Sequence, residues 1–192
     1  MEKAGESECH PWQPFLPANT RILFLGSFPP ARKRWCMDFF YPNFTNDFWR
    51  IMGICLYDDK QYFVDEEART FRLDIIKNEL TRRGVGLYDT ATEVIRTRHT
   101  ASDKDLEVVV PTDLTALLRL VPQCQTVVTT GQKATELFTL HFLLRQPRVG
   151  ECEEWNFDGR HMRLYRMPSS SRAYPMKVER KAEYYKCLPL AP

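Results

Sequence analysis

Metal-binding spacing is missing from this 192-residue chain. Its six cysteines (Cys9, Cys36, Cys55, Cys124, Cys152 and Cys187) form no C-x-x-C pair, and no histidine stands at ligand spacing from them. That argues against a structural zinc site or an iron–sulfur cluster. The cysteines also lack the density of a secreted disulfide scaffold, so reduced thiols inside a cell are expected. The first ten residues, MEKAGESECH, carry acids where a secretory leader needs bases and an apolar run. No apolar stretch approaches the length of a membrane span. Repeats, low-complexity segments and a domain boundary are missing too. Net charge is only +2, so the whole-molecule field does not announce a nucleic-acid binder. These absences predict a soluble, cytoplasmic protein with no membrane partner, no metal and no cofactor. One domain over residues 1–192 is expected from the length.

Hydrophobic residues make up 43% of the chain and aromatics 12%, enough for a well-buried core. The bases are grouped: Arg32-Lys33-Arg34, Arg82-Arg83, Arg96 with Arg98, and Lys177 with Arg180-Lys181. Each group reads equally as a solvated face or as part of a binding surface.

Short apolar runs bounded by turn residues predict buried strands at RILFLGS (21–27), GVGLYDT (84–90) and TVVTTG (126–131). HMRLYRM reads as a half-buried strand, and Asp158-Gly159 before it is the clearest hairpin signal. Between the strands lie helical patterns. Phe48, Ile51, Met52 and Cys55 share one face behind a cap at Asn46 or Thr45. A second helix is expected near Phe71–Arg82, and PTDLTALLRLV buries Leu114, Leu117, Leu118 and Val121. QKATELFTLHFLL is the next helix, with His141 half-buried on its side, and the last helix shows Val178, Ala182 and Tyr185. Strands alternating with helices predict an α/β fold, a three-layer α/β/α sandwich with a mainly parallel central sheet.

In such sheets the functional loops leave the carboxyl ends of the strands. One carries GSFPP (26–30), where two prolines stiffen the backbone, and leads into the aromatic stretch FFYPNFTNDFW (39–49). Phe39, Phe40 and Tyr41 could stack on a planar heterocycle or simply fill the core. Another is RMPSSSRAYP (166–175), a hydroxyl-rich turn between a strand and a helix. The unpartnered first amides of that helix would make it an anion cradle.

In order, LFLGSFPP, NDFW, GVGLYDTATEV, VVTTGQKATELF and MPSSSRAYP resemble the motifs of the uracil-DNA glycosylase superfamily over nearly the whole chain. The opening is most similar to the hypoxanthine-DNA glycosylase branch, and MPSSSR to the second motif of the thymine/mismatch branch. The resemblance implies a DNA base-excision repair enzyme, a monofunctional N-glycosyl hydrolase acting as a monomer on a flipped, deaminated or mismatched base in nucleoid DNA. Uracil and hypoxanthine are the candidate bases. It implies that Ser27, Pro29, Pro30, Ser169, Ser170 and Ser171 grip the backbone phosphates. Arg172 would fill the hole in the stack. Phe39 aligns with the aromatic that stacks on the base, with Phe40 one residue away. Thr130 would meet the base's polar edge, with Asp89 or Thr92 nearby.

The catalytic residue implied is Asn46, which could hold the attacking water or donate its amide to a base carbonyl. Three departures stand out. Phe28 occupies the place where much of the superfamily has an acid or asparagine, and phenylalanine cannot orient a water. The branch's histidine near Asn46 corresponds to Tyr41 or Asn43, and its base-reading asparagine to Thr130. Phe28 and Thr130 support the alternative of a module with the same fold that binds DNA lesions or nucleotides without chemistry.

Overall fold

A computed structural model describes residues 6–97 and 105–191; Arg98, one of the grouped bases, lies outside them. In chain order the elements are β1 (Ser7–Cys9), β2 (Ile22–Gly26), a 3-10 turn (Arg32–Arg34) and α1 (Phe48–Tyr57). Then come β3 (Val64–Asp65), β4 (Thr70–Phe71), α2 (Leu73–Arg83), β5 (Val85–Asp89), β6 (Ala91–Arg96) and β7 (Leu106–Pro111). They are followed by α3 (Leu114–Arg119), β8 (Thr126–Thr130), α4 (Gln132–Phe142), β9 (Cys152–Phe157), β10 (Arg160–Met167) and α5 (Val178–Tyr185).

The fold is mixed α/β. Its main sheet has the order β5-β2-β8-β10-β9. β2 pairs in parallel with β5 and β8, and β10 in parallel with β8, while β9 is antiparallel at the edge. Every residue of β2, β5 and β8 is buried, as continuous apolar runs in parallel strands require. The β9–β10 hairpin closes on Asp158 and Gly159, both at positive φ (47° and 78°), the geometry of a tight two-residue turn.

The sequence reading has no place for the second sheet, β1-β6-β7, which is wholly antiparallel. β1 has three residues, too few for periodicity to show, and the valine run of β7 is half-exposed rather than alternating. His141 is also corrected: it is exposed, with its Nε2 2.9 Å from Thr115 Oγ1.

The core gathers Ile22–Leu25, Val127 and Val128 from the sheet with Phe48, Trp49, Ile51 and Met52 from α1. Tyr185 of α5 is fully buried and lies parallel to Phe24 at 6.5 Å. Its hydroxyl donates to the Pro168 carbonyl at 2.8 Å, so the last helix anchors the chain just as it leaves β10.

Candidate functional site

The register of the main sheet sets the site. Gly26 lies opposite Asp89, Leu25 opposite Thr129, and Thr130 opposite Met167. The parallel strands therefore end level, and their outgoing loops enclose a cleft of about 700 Å3. The cleft wall holds Ser27, Pro29, Pro30, Asn46, Asp89 and Thr130, and on its other side Ser169, Ser170, Ser171 and Arg172. Ser27 and Arg172, 145 positions apart in sequence, thus face one space. Arg34, Arg96 and Arg166 join Arg172 in the lining, so a chain of net charge +2 concentrates four guanidinium groups here.

The GSFPP loop is held by its carbonyls. Arg96 Nη2 donates to Pro29 O at 2.6 Å and Trp35 Nε1 to Pro30 O at 2.7 Å. Phe28 lies against Ala91, Val94 and Leu106, an apolar wall with no means of orienting water.

Of the two aromatics aligned with base stacking, Phe40 lines the cleft and Phe39 does not. Phe39 packs edge-on against Phe15 and Phe40 and parallel to Trp49, inside the core. Neighbouring positions on an irregular loop point apart, and sequence alignment cannot resolve a one-residue choice of face. Tyr41 takes a left-handed backbone (φ 52°), stacks on Phe48 at 3.7 Å, and brings its hydroxyl within 2.9 Å of Thr130 Oγ1. Thr92 does not line the cleft; its hydroxyl donates to Val110 O in the second sheet.

Asn46 precedes α1, whose N-cap position belongs to Asp47 rather than to Asn46 or Thr45. Asn46 Oδ1 nevertheless accepts the Phe48 amide at 2.9 Å, the task of a cap performed one residue early. This bond fixes the direction of the side chain, whose amide nitrogen is its only donor. Beneath it Arg50 donates to Phe44 O and Asn46 O. Burial first, and the nearby Arg172 charge second, pull the Arg50 guanidinium below its ordinary value.

The serine turn departs from expectation. α5 begins at Val178, well past Ser171, so its first amides do not belong to the turn and the helix-terminus cradle is not built. Instead Ser169 Oγ accepts Ser171 N (3.2 Å) and Ser171 Oγ accepts Ala173 N (3.3 Å), folding the segment on its own hydroxyls. Ser170 is buried, and its carbonyl accepts Asp47 N at 2.9 Å. Lys181 Nζ donates to Ser171 O (2.8 Å) and to Asp47 Oδ2 (2.9 Å), with both side chains out of solvent. Arg172 Nε donates to the other oxygen, Oδ1, at 3.1 Å while its side chain stays 60% exposed. Asp47 therefore ties the start of α1 to the serine turn. Lys181 belongs by charge with Lys177 and Arg180, yet with Val178, Ala182 and Tyr185 it completes an i, i+3, i+4, i+7 face.

His10 was not anticipated. Its Nε2 donates to Asp89 Oδ2 at 2.8 Å, and its ring is enclosed by Phe28, Phe40 and Tyr88. Burial, and after it the charge of Asp89, pushes the Tyr88 phenol up. A lone histidine seventy-nine residues from its partner leaves no periodic signal. Among the described residues no cluster of three or more His, Cys, Asp or Glu could hold a metal, and no helix is long and apolar enough to cross a membrane.

No protein-family model matches the chain, and no curated protein does. Among solved structures it is similar to the solution NMR structure of a putative uracil DNA glycosylase from Methanosarcina acetivorans. The match has a TM-score of 0.63 and 22% identity, and covers 96% of this chain and 97% of that one. The two share a fold along nearly their whole lengths.

Proposed function

We propose that this protein is a DNA glycosylase of the uracil-DNA glycosylase superfamily, with its sheet sandwiched between helices in one domain. It hydrolyses the N-glycosidic bond of a flipped deaminated or mismatched base, uracil or hypoxanthine, and leaves an abasic site. The observation carrying this reading is the convergence of the GSFPP loop, Asn46 and the serine turn on one cleft. Extrusion brings the base into the cleft, where Phe40 offers a ring face and Thr130 and Tyr41 offer hydroxyls. Ser169–Ser171 and the proline loop hold the strand, and Arg172 takes the vacated place in the stack.

Cleavage passes through an oxocarbenium-like sugar and a departing base anion, which a fixed donor in a water-poor pocket stabilises well. Asn46 supplies that donor, its Oδ1 being bound to Phe48 N. The second reading, a lesion-binding module without chemistry, is favoured by Phe28 in its apolar wall. Strand cleavage at an alkali-labile site in an oligonucleotide carrying one modified base separates the two.

A further inference from the structure

We infer that Trp12, Trp35 and the basic turn Arg32–Arg34 form a platform for the unpaired DNA strand flanking the flipped nucleotide. The inference deepens the glycosylase reading and rests on it for where that nucleotide sits.

The aromatic rings make a path that starts inside the cleft. Phe40, the ring offered to the flipped base, meets Trp12 edge-on with centroids 5.3 Å apart. Trp12 also lines the cleft, and its ring lies 4.6 Å from that of Trp35. Beyond it stands the Arg32 guanidinium, 5.0 Å from the Trp35 ring centroid, a cation–π contact. Phe40 is buried, both indoles are half-buried, and Arg32, Lys33 and Arg34 are exposed. The path therefore runs from the base pocket out to solvent.

It is held in place along its length. Trp12 Nε1 donates to Asp38 Oδ1 at 2.9 Å, and Trp35 Nε1 to Pro30 O at 2.7 Å. The Trp35 main chain donates to Arg32 O at 3.0 Å and forms a bridge with Asn43. An indole has one polar hydrogen, and in both rings it is used, so what remains to offer is the ring face. Asp38 is exposed, but three cations on the turn outnumber it. Among the described residues no carboxylate pairs with Arg32, Lys33 or Arg34, whereas Arg96 is tied to Glu8 and Arg172 to Asp47.

Cations beside indole faces meet the two needs of a single strand: its phosphates seek positive charge, and its unstacked bases seek a flat partner. A duplex could reach the same charges, but the faces of its bases are covered by their neighbours in the stack. The turn follows directly on the GSFPP loop, across the cleft from Ser169–Arg172. The strand thus runs from the serine turn, past the flipped nucleotide, and onto the rings.

The test needs no cleavage. Single-stranded oligonucleotides carry a tetrahydrofuran abasic analogue, which has no base to lose and marks the flipped position. They end next to the analogue or extend by a few nucleotides on its 5′ or its 3′ side, and binding is read by fluorescence anisotropy over a range of salt. Extension on one side should tighten binding by about tenfold and quench tryptophan emission. Trp12→Leu should lose most of that gain, while Trp12→Phe, which keeps a ring, should retain most of it. A complement annealed across the extension should abolish the part that depends on Trp12. Arg32→Gln, Lys33→Gln and Arg34→Gln combined should flatten the slope of log affinity against log salt by about 2, as expected for three phosphate contacts on a single strand. Thermal melting confirms folding of each variant. If the gain survives Trp12→Leu, if the slope survives the combined replacement, or if short and extended probes bind equally, the platform is overturned while the glycosylase reading stands. A Trp12-dependent gain in a protein that cleaves no modified strand supports the platform and overturns the glycosylase reading instead.

Discussion

Asp47 and Lys181 form a salt bridge of 2.9 Å with neither side chain more than 3% exposed, and through it α1, α5 and the serine turn meet at one point. The carboxylate also receives Arg172, and the Asp47 and Ser170 main chains are bonded at 2.9 Å. A buried pair adds little net stability against apolar replacements, but removing one partner strands the other. Its use here is geometric: it fixes the serine turn relative to the start of α1 beside Asn46.

Lys181→Met should therefore lower stability by about 3 kcal/mol, because Asp47 is left buried without its ammonium partner. Asp47→Asn combined with Lys181→Met should recover most of that loss. Urea denaturation of the parent, single and double variants measures the coupling. Additive losses would contradict a paired role.

Asn46 is predicted to matter through its amide donor. Asn46→Ala should slow single-turnover cleavage by about a hundredfold. Asn46→Asp keeps an acceptor for the Phe48 amide, so it should melt like the parent yet cleave as slowly as the alanine variant. Parental rates in both variants would reduce Asn46 to a helix cap.

Arg172 and the serines should fail differently. Ser170→Ala or Ser171→Ala should weaken cleavage of single and double strands alike. Arg172→Ala should hurt duplex far more, since only a duplex needs the flipped base replaced, at a cost of about a few kcal/mol. In the free protein Arg172 rests on Asp47 with most of its side chain in solvent, a position it can leave. The measurement is the ratio of single-turnover rates on matched substrates at fixed salt. An unchanged ratio would make the arginine a surface tie to Asp47 and nothing more.

How much of this was legible in the chain depended on what each residue type signals. The buried runs of β2, β5 and β8 announced themselves, as did the Asp158-Gly159 turn and the Leu114–Leu118 stripe. So did the cleft, since it follows from where parallel strands end. The antiparallel sheet did not, because a three-residue strand and a half-exposed valine run carry no period. Phe39 and Phe40 could not be told apart in an irregular loop. His10 joins Asp89 from the other side of the fold, a contact that only tertiary structure creates. Lys181 was legible but misread: its spacing placed it on the buried face while its charge suggested the surface.

Alkaline pH should destabilise the fold. Burial pushes the fully enclosed Cys124 thiol from an ordinary value near 9.0 up to about 11. Below pH 9 folded and unfolded chains both hold this proton, and the full stability is present. Above it the unfolded chain releases the proton first, so stability falls as pH rises toward 11, by up to about 1.4 kcal/mol per pH unit for this thiol. The Tyr185 phenol, also raised by burial, acts in the same direction at higher pH. Denaturation at pH 8.5 and 10.5 should show a smaller loss in Cys124→Ala than in the parent. Equal losses would contradict the assignment.

Base release from DNA can be read in a single assay. A labelled oligonucleotide carrying a single uracil, hypoxanthine, xanthine or mismatched thymine is incubated with the protein, with and without chelator, and then treated with alkali. Strand breaks are expected at the modified position for uracil or hypoxanthine, unaffected by chelator and lost in Asn46→Ala. Intact strands across the whole panel, with the oligonucleotides still bound, would contradict it and leave a cleft that recognises lesions without cutting.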